Sequence, residues 1–423
     1  MADNSTTQAW PTSVSRRDRL QLGLGSPAGD VVPIEPANRA ELQAIVEEGR
    51  RWKAFIPFGN ASMMRSGNSV RSADVLVSTT NLREWVEYNP ADLTVTIQAG
   101  LRFEEVQAEL RRHHQFLPWD PPYAGSRTMG GLIACNSSGA LACKYGPPRD
   151  RILGMEVILA DGTPARCGGR VVKNVAGYDL GKLYAGSLGT LAILTEVCLK
   201  VSALPEAWAT YLVPIDKLAN GLEQVEALQR ARLAPCIADL IAGELPERPQ
   251  AHWTLALRVD GTEPGVAYQI DQAHRLWPGG ILLSSDADGA FWDRMALRRG
   301  QTAAAPEGVA LRLNGPLRLL EGAILFVQQF WNPAVRVHLL QSTAILTGAW
   351  SDRPADFHDW IARWRAQHGP LGGRLTVEEA SAAMKTGLEC FDLQYGLLPV
   401  LERIKNAYDP QRCLNPGRSA GAF

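Results

Sequence analysis

Three groups of small residues in this chain have the types and spacing to hold an anion through backbone amides. The richest lies in Val171–Val201. It runs through Lys173-Asn174-Val175-Ala176-Gly177-Tyr178-Asp179, tightens at Gly186-Ser187-Leu188-Gly189-Thr190, and leaves through Leu191 and Ile193 as a β-rich run. Gly186 and Gly189 tolerate positive φ, which lets successive N–H groups face a ligand at short range. The second group is Gly59-Asn60-Ala61-Ser62, whose amides and Ser62 hydroxyl suit diphosphate oxygens. The third spans Met129-Gly130-Gly131 to Asn136-Ser137-Ser138-Gly139, a pattern suited to a turn and helix lying flat against a ring and its phosphates. Each alone is also an ordinary turn. Two familiar phosphate motifs do not fit. From Gly177 to Gly181-Lys182 is one residue short for a Walker loop, and Leu183 follows. Gly23-Leu24-Gly25 has neither a strand before it nor a helix after it.

Side chains that could act on a substrate are fewer. Arg312 offers a cation for a carboxylate or an ordinary ion pair, and His338 offers a base. His113-His114 end a helical pattern, where cations need no metal to explain them. The seven cysteines are scattered and contain no C-x-x-C pair, so a disulfide framework and a zinc or iron–sulfur site are not expected. Cys135 and Cys143 stand near the third group, where a thioether to a cofactor is conceivable and a small core residue is the simpler account.

The ordered run KNVAGYDL, then GSLGTLAILTEVCLKV, resembles the signature of flavoproteins with the PCMH-type (vanillyl-alcohol-oxidase) FAD domain, and most of all the smaller FAD-binding subunit of bacterial glycolate oxidase. Ala192 stands where that family usually has another Gly. The resemblance extends to the Gly59–Ser62 turn as the pyrophosphate loop, to the Gly130–Gly139 segment, and to a closing motif, Cys413-Leu414-Asn415-Pro416-Gly417-Arg418. It implies FAD held without a covalent link, because the loop lacks the His that covalent members carry. It implies a small 2-hydroxy acid substrate, with Arg312 matching an RLSVPP-like segment. The His and Gly-Asp-Gly-Asn metal motif of self-sufficient relatives is missing, so no metal site is expected. The resemblance then implies a chain that works beside a catalytic flavin subunit and an iron–sulfur subunit. Rival readings are a self-sufficient alcohol or aldonolactone oxidoreductase and a non-catalytic scaffold.

The elements that must position these residues follow an α+β order. Residues 1–28 are polar, aperiodic and expected to be mobile. Residues 29–204 should form the FAD domain as two α+β subdomains, with strands near 31–34, 55–58, 74–78 and 93–99 and a helix opened by Asn38 and Glu41. Residues 205–375 alternate strand and helix patterns and should form an α+β cap. Its Trp253, Trp277, Trp292, Trp331, Trp350, Trp360 and Trp364 could line a pocket, although spacing such as 360 and 364 is that of a packed helix face. Residues 376–423 should return to the FAD domain. The chain has 423 residues, a net charge of −1 and 46% hydrophobic content, which gives no reason to expect nucleic acid. No apolar run reaches the roughly 18 residues of a membrane helix. Arg16-Arg17 is followed by too polar a stretch for export, so the expected location is the cytoplasm, peripheral to the inner membrane only through partners.

Overall fold

The computed structural model describes residues 31–48, 52–169, 178–243, 245–248, 251–304, 307–351, 353–393 and 396–423. The segment 1–28, Lys173 and Gly177 therefore lie outside the described residues. The fold is α+β.

The chain begins as a parallel unit of β1 (Val32–Ile34), α1 (Arg39–Glu48), β2 (Phe55–Phe58) and β3 (Val75–Ser78), with strand order β1-β3-β2. Helix α1 starts where the sequence signals it. The Asn38 side-chain oxygen accepts the Glu41 N–H at 3.0 Å, and the Glu41 carboxylate accepts the Ala37 N–H at 2.8 Å. Leu42 and Val46 then bury one face of the helix against Val75 and Val77, roughly 1.5–3 kcal/mol for each aliphatic side chain.

Next come β4 (Trp85–Asn89), β5 (Thr94–Gln98), α2 (Phe103–Arg112), β6 (Gln115–Phe116), α3 (Met129–Ala134), α4 (Ala142–Tyr145), β7 (Ile152–Ile158), β8 (Pro164–Gly168), α5 (Leu180–Tyr184), β9 (Ile193–Lys200) and β10 (Ser202–Ala203). Five of these strands form an antiparallel sheet ordered β4-β5-β9-β7-β8. The run after Leu191 becomes its central strand, β9, because it is buried on both faces. Leu194, Val197 and Leu199 pack with Val106 and Leu110 of α2 and Leu132 of α3, while Ile193 joins Val75 and Val77 in the core of the first sheet. That shared core holds the two sheets together.

The remaining elements are β11 (Ala207–Ile215), α6 (Leu218–Arg230), β12 (Ile237–Ala242), β13 (Trp253–Gly261), α7 (Glu263–Leu276), β14 (Ile281–Leu282), α8 (Ser285–Ala304), β15 (Gly308–Asn314), α9 (Leu317–Gln328), β16 (Ala334–His338), β17 (Thr343–Ala349), α10 (Pro354–His368), β18 (Arg374–Glu379), α11 (Ala382–Lys385) and α12 (Leu398–Tyr408). Strands β11 to β18 form one eight-stranded sheet, ordered β14-β11-β13-β12-β16-β17-β15-β18. Period-2 alternation sends Leu240, Val335, Val337 and Leu346 under α6, α9 and α10, where Trp360 and Trp364 are fully buried. The opposite face carries Ile237 and Ile241, packed with Phe291 and Trp292 of α8 and with Ala140 and Leu141 of the first half of the chain. The tryptophans are thus mainly core. Trp292 also lies beneath the guanidinium groups of Arg258 and Arg336.

After α12 the chain turns back to the first sheet. Leu414 bridges Phe55 in parallel, with Phe55 N–H donating to Cys413 C=O and Asn415 N–H donating to Phe55 C=O, both at 2.8 Å. Lys405, buried beside Asp409 at 2.6 Å, donates to the carbonyls of Thr190 and Leu414. The same Asp409 accepts the amides of Cys413 and Leu414. A buried ion pair with every partner in place fixes where the tail runs.

Candidate functional site

The turn after β2, the start of α3 and the turn before β9 meet around a cleft of about 640 Å³. Gly59, Asn60, Ala61 and Ser62 line one wall, Gly130 and Gly131 another, and Gly189 and Ile193 a third. Turns far apart in sequence therefore face one space. The amides of Asn60, Ala61 and Ser62 have no recorded protein acceptor among the described residues, and Ala61 has a φ of 55°. Leu188, on the opposite wall, has a φ of 57°. Non-glycine residues held in the left-handed region cost of order 1–3 kcal/mol and cluster at ligand clamps. Successive free N–H groups in such a turn make an anion-binding concavity.

Several glycines serve protein contacts as well as the cleft. The Gly130 N–H donates to Ala99 C=O, and Gly131 N–H donates to the Thr128 hydroxyl that caps α3. The amides of the 59–62 turn, by contrast, are left for a ligand. Gly186 lines an adjoining hollow that shares Leu188 with the cleft. Met129 and Leu191 face the hydrophobic core rather than the cleft, because α3 and the entry to β9 turn their large side chains inward. The Asn136 side-chain oxygen accepts the Arg149 N–H and so ties two loop segments together, while the Thr190 hydroxyl donates to Ser187 C=O and closes a local turn. Asp179 caps α5 and pairs with Lys182, while Tyr178 is 94% exposed. Ser138 is half-buried and lines neither this cleft nor the cavity described below. Cys135 lines the cleft, a correction to its reading as a core residue: it sits at the end of α3, where the helix opens onto the ligand space.

A residue that sequence reasoning left out of the site completes the cleft. Arg418, 3% exposed, lines it from the C-terminal tail. Its guanidinium donates to Ser66 C=O at 3.2 Å and Met63 C=O at 2.8 Å, and contacts Met64 Sδ at 3.3 Å. Burial lowers its pKa from the ordinary value.

A second, larger cavity of about 1130 Å³ opens between the eight-stranded sheet and the segment that follows α3. Asp120, Gly139 and Ala140 line it from one side, and Arg336, His338 and Ile345 from the sheet. Gly139 belongs here because a Cβ would fall 2.2 Å from Asp120 C=O. The strand register sets Asp239 opposite His338. Asp239 is fully buried and takes His338 Nδ1 at 2.7 Å on one oxygen and Arg336 Nε at 2.6 Å on the other. Burial alone would raise its carboxyl; the Arg336 and His338 charges outweigh burial and hold it below the usual range. Burial instead pushes Asp120 up, against the pull of Arg336 and of the Leu141 amide. With Nδ1 engaged, Nε2 is the His338 nitrogen left to serve the cavity as a base.

Arg312 lies in the same cross-strand row. The pairs Arg312↔Ile345 and Arg336↔Ile345 place both cations on one face, two strands or roughly 10 Å apart. Arg312 is not among the residues lining the cavity; it is half exposed and ion-paired with Glu378. Of the two duties open to it from sequence, the structure displays the ion pair. Asp239 and Arg336 had no signal in the sequence, since a lone Asp within Ile237–Ala242 looks like a break in an apolar run. Among the described residues, no group of three or more His, Cys, Asp and Glu side chains is placed to hold a metal ion.

Residues 32–168 match the FAD_binding_4 family, an FAD binding domain, and the chain is an FAD-dependent oxidoreductase. It is 25% identical over 417 residues to glycolate oxidase subunit GlcD of Bacillus subtilis, covering 91% of this chain and 88% of that protein. Over 123 residues it is 42% identical to glycolate oxidase subunit GlcE of Escherichia coli, covering 29% of this chain and 35% of the relative. Among solved structures, an alkyldihydroxyacetonephosphate synthase superposes with a TM-score of 0.68 at 17% identity, over 96% of this chain and 79% of that one, a likeness of fold alone.

Proposed function

We propose that this chain is a subunit of a glycolate oxidase-like complex that oxidises a small 2-hydroxy acid, glycolate foremost, and passes the electrons to a partner. The observation that carries the 2-hydroxy acid part of the reading is Asp239 holding Arg336 and His338 together on the wall of the second cavity. A 2-hydroxy acid needs a cation for its carboxylate and a base for its hydroxyl proton, and these two residues supply both from one strand.

The first cleft fits FAD by its chemistry: free amides at 60–62, a strained turn and a buried cation all suit a diphosphate. The segment from Thr128 to Gly139 leads from that cleft to the second cavity. Bound FAD supplies a two-electron acceptor that can later release electrons singly. The protein's own tasks are then to anchor the carboxylate at Arg336, to accept the hydroxyl proton at His338 Nε2, and to balance the resulting imidazolium with Asp239. The absence of a His in the 59–62 turn supports noncovalent attachment.

Similarity to two different glycolate oxidase subunits supports a heteromeric setting; the catalytic flavin subunit and the iron–sulfur subunit are the partners that the sequence resemblance implies. No helix among the described residues is long and apolar enough to cross a membrane, and a cytoplasmic site, peripheral to the membrane through partners, suits such a complex. A second reading has support of its own: the Asp239–His338 pair is a base that needs no metal, which favours turnover by this chain alone. Purification without partners separates the two. A yellow protein nearly inert to glycolate and D-lactate with an artificial acceptor supports the complex, and brisk turnover supports the self-sufficient enzyme. A colourless protein that still completes the complex would make the chain a scaffold.

A further inference from the structure

Three enclosed or partly enclosed cations among the described residues have a carboxylate close by. Lys405 has Asp409 at 2.6 Å, Arg258 has Asp288 at 2.5 Å, and Arg336 has Asp239 at 2.6 Å. Arg418 differs. Its recorded partners are two carbonyl oxygens and a thioether, and no carboxylate ion pair is recorded for it among the described residues. Lys385 is similarly surrounded, donating to the carbonyls of Arg65 and Gly67, but it lines none of the three hollows described above. A lysine can also shed its proton when buried, whereas a guanidinium stays charged under any ordinary condition. A permanent charge enclosed in protein at the wall of a cleft calls for an anion from outside.

The tail that carries Arg418 is wedged between two walls of the same cleft. Asn415 Nδ2 donates to Leu188 C=O at 2.8 Å, Asn68 N–H donates to Arg418 C=O at 3.1 Å, and Leu414 pairs beside β2, whose end leads into Gly59. Arg418 thus reaches the ligand space only when residues 413–419 are docked.

We infer that Arg418 is the counter-ion of the dinucleotide diphosphate in the first cleft, so that binding of the cofactor and docking of the C-terminal tail form one equilibrium. The inference rests on the flavin reading of that cleft. It adds a residue from the far end of the chain, and a linkage: whatever holds the tail down strengthens cofactor binding, and the bound diphosphate holds the tail down in return.

The test uses full-length apoprotein titrated with FAD, with ADP, which keeps the diphosphate but lacks the flavin, and with riboflavin, which lacks the diphosphate. Arg418→Gln should weaken FAD and ADP alike, by on the order of 100-fold, and leave riboflavin unchanged. Equal FAD affinity in variant and wild type overturns the inference, and so does a parallel loss of riboflavin binding, which would mark Arg418 as structural. Limited trypsin digestion of the wild type gives an answer that no folding defect can blur. FAD and ADP should slow cleavage after Arg412 and Arg418 relative to sites elsewhere, and riboflavin should not; tail cleavage indifferent to all three overturns the linkage. If the wild type binds neither FAD nor ADP, the flavin reading itself fails, an outcome distinct from a wild type and variant that bind FAD equally.

Discussion

Gly59 and Thr128 approach so closely that a β-carbon on residue 59 would lie 2.1 Å from the Thr128 hydroxyl oxygen. That hydroxyl caps α3 by accepting the Gly131 N–H. The 59–62 turn and the helix that faces it are therefore locked in one geometry by the lack of a side chain. Gly59→Ala should destabilise the protein by about 1–3 kcal/mol through overpacking and cut bound flavin. Thr128→Ala in the same background should recover part of the flavin content, because it removes the atom in collision. Urea unfolding and the flavin-to-protein absorbance ratio measure both, and a single variant with full flavin would disprove the close contact.

Asp239 is the residue on which the second cavity turns. Asp239→Asn keeps the shape but removes the charge that faces Arg336 and His338. The rate of flavin reduction by a 2-hydroxy acid should fall by roughly 10²–10⁴-fold, with flavin content unchanged. Stability should respond to pH in a definite sense. A carboxyl held low in the folded state contributes stability that is present above its unfolded pKa and is lost as pH falls through the folded value. The wild type should thus lose stability relative to Asp239→Asn as pH drops below about 4. Denaturation of both proteins at pH 7 and pH 3.5 checks this, and a gap that does not narrow on acidification would contradict it.

Much of this architecture is legible in the sequence where local chemistry is strong. Asn38 with Glu41 announces α1, and Asp161-Gly162 closes the β7–β8 hairpin between alternating runs. The three turns announce themselves by small residues, and Gly59, Gly130 and Gly189 do meet in one cleft. What stays hidden depends on distance along the chain. Gly139 looks like a ligand contact, yet much of its need is the Asp120 segment pressed against it. Strand β12 combines helix-favouring Ala and Leu with an Asp, and only pairing with β13 and β16 makes it a strand. Helix α8 begins in a polar Ser-Asp-Ala-Asp-Gly stretch, and its Phe291 and Trp292 gain their role only against the sheet. Arg418 stands in a recognisable closing motif, but nothing local tells that its partners lie at Met63 to Ser66.

Lys385 provides a prediction that needs no cofactor. It is almost fully buried, and burial pushes its ammonium down to about 8. The folded protein therefore releases this proton from about pH 8 upward, while the unfolded chain keeps it to about 10.5. Across that window the unfolded state binds more protons, so the group's contribution to stability rises with pH, by up to about 3 kcal/mol. Lys385→Met removes the titration and leaves the carbonyls of Arg65 and Gly67 without this donor, a cost that does not vary with pH. The wild type should gain on the variant between pH 7.5 and pH 10.5 in paired urea titrations, and a constant difference would show that Lys385 does not titrate in that range.

Cys135 separates two ways of holding a flavin. Its thiol lies on the wall of the first cleft, and Arg418 is close enough for the two to interact electrostatically. If the diphosphate is held at the 59–62 turn beside Arg418, Cys135 stands at the diphosphate end of the site, away from the flavin ring that a thioether would require. Precipitation in acid should then leave a colourless pellet and free all of the FAD into the supernatant, and Cys135→Ser should keep the flavin spectrum. A yellow pellet that turns colourless in Cys135→Ser would place the ring, rather than the diphosphate, beside α3.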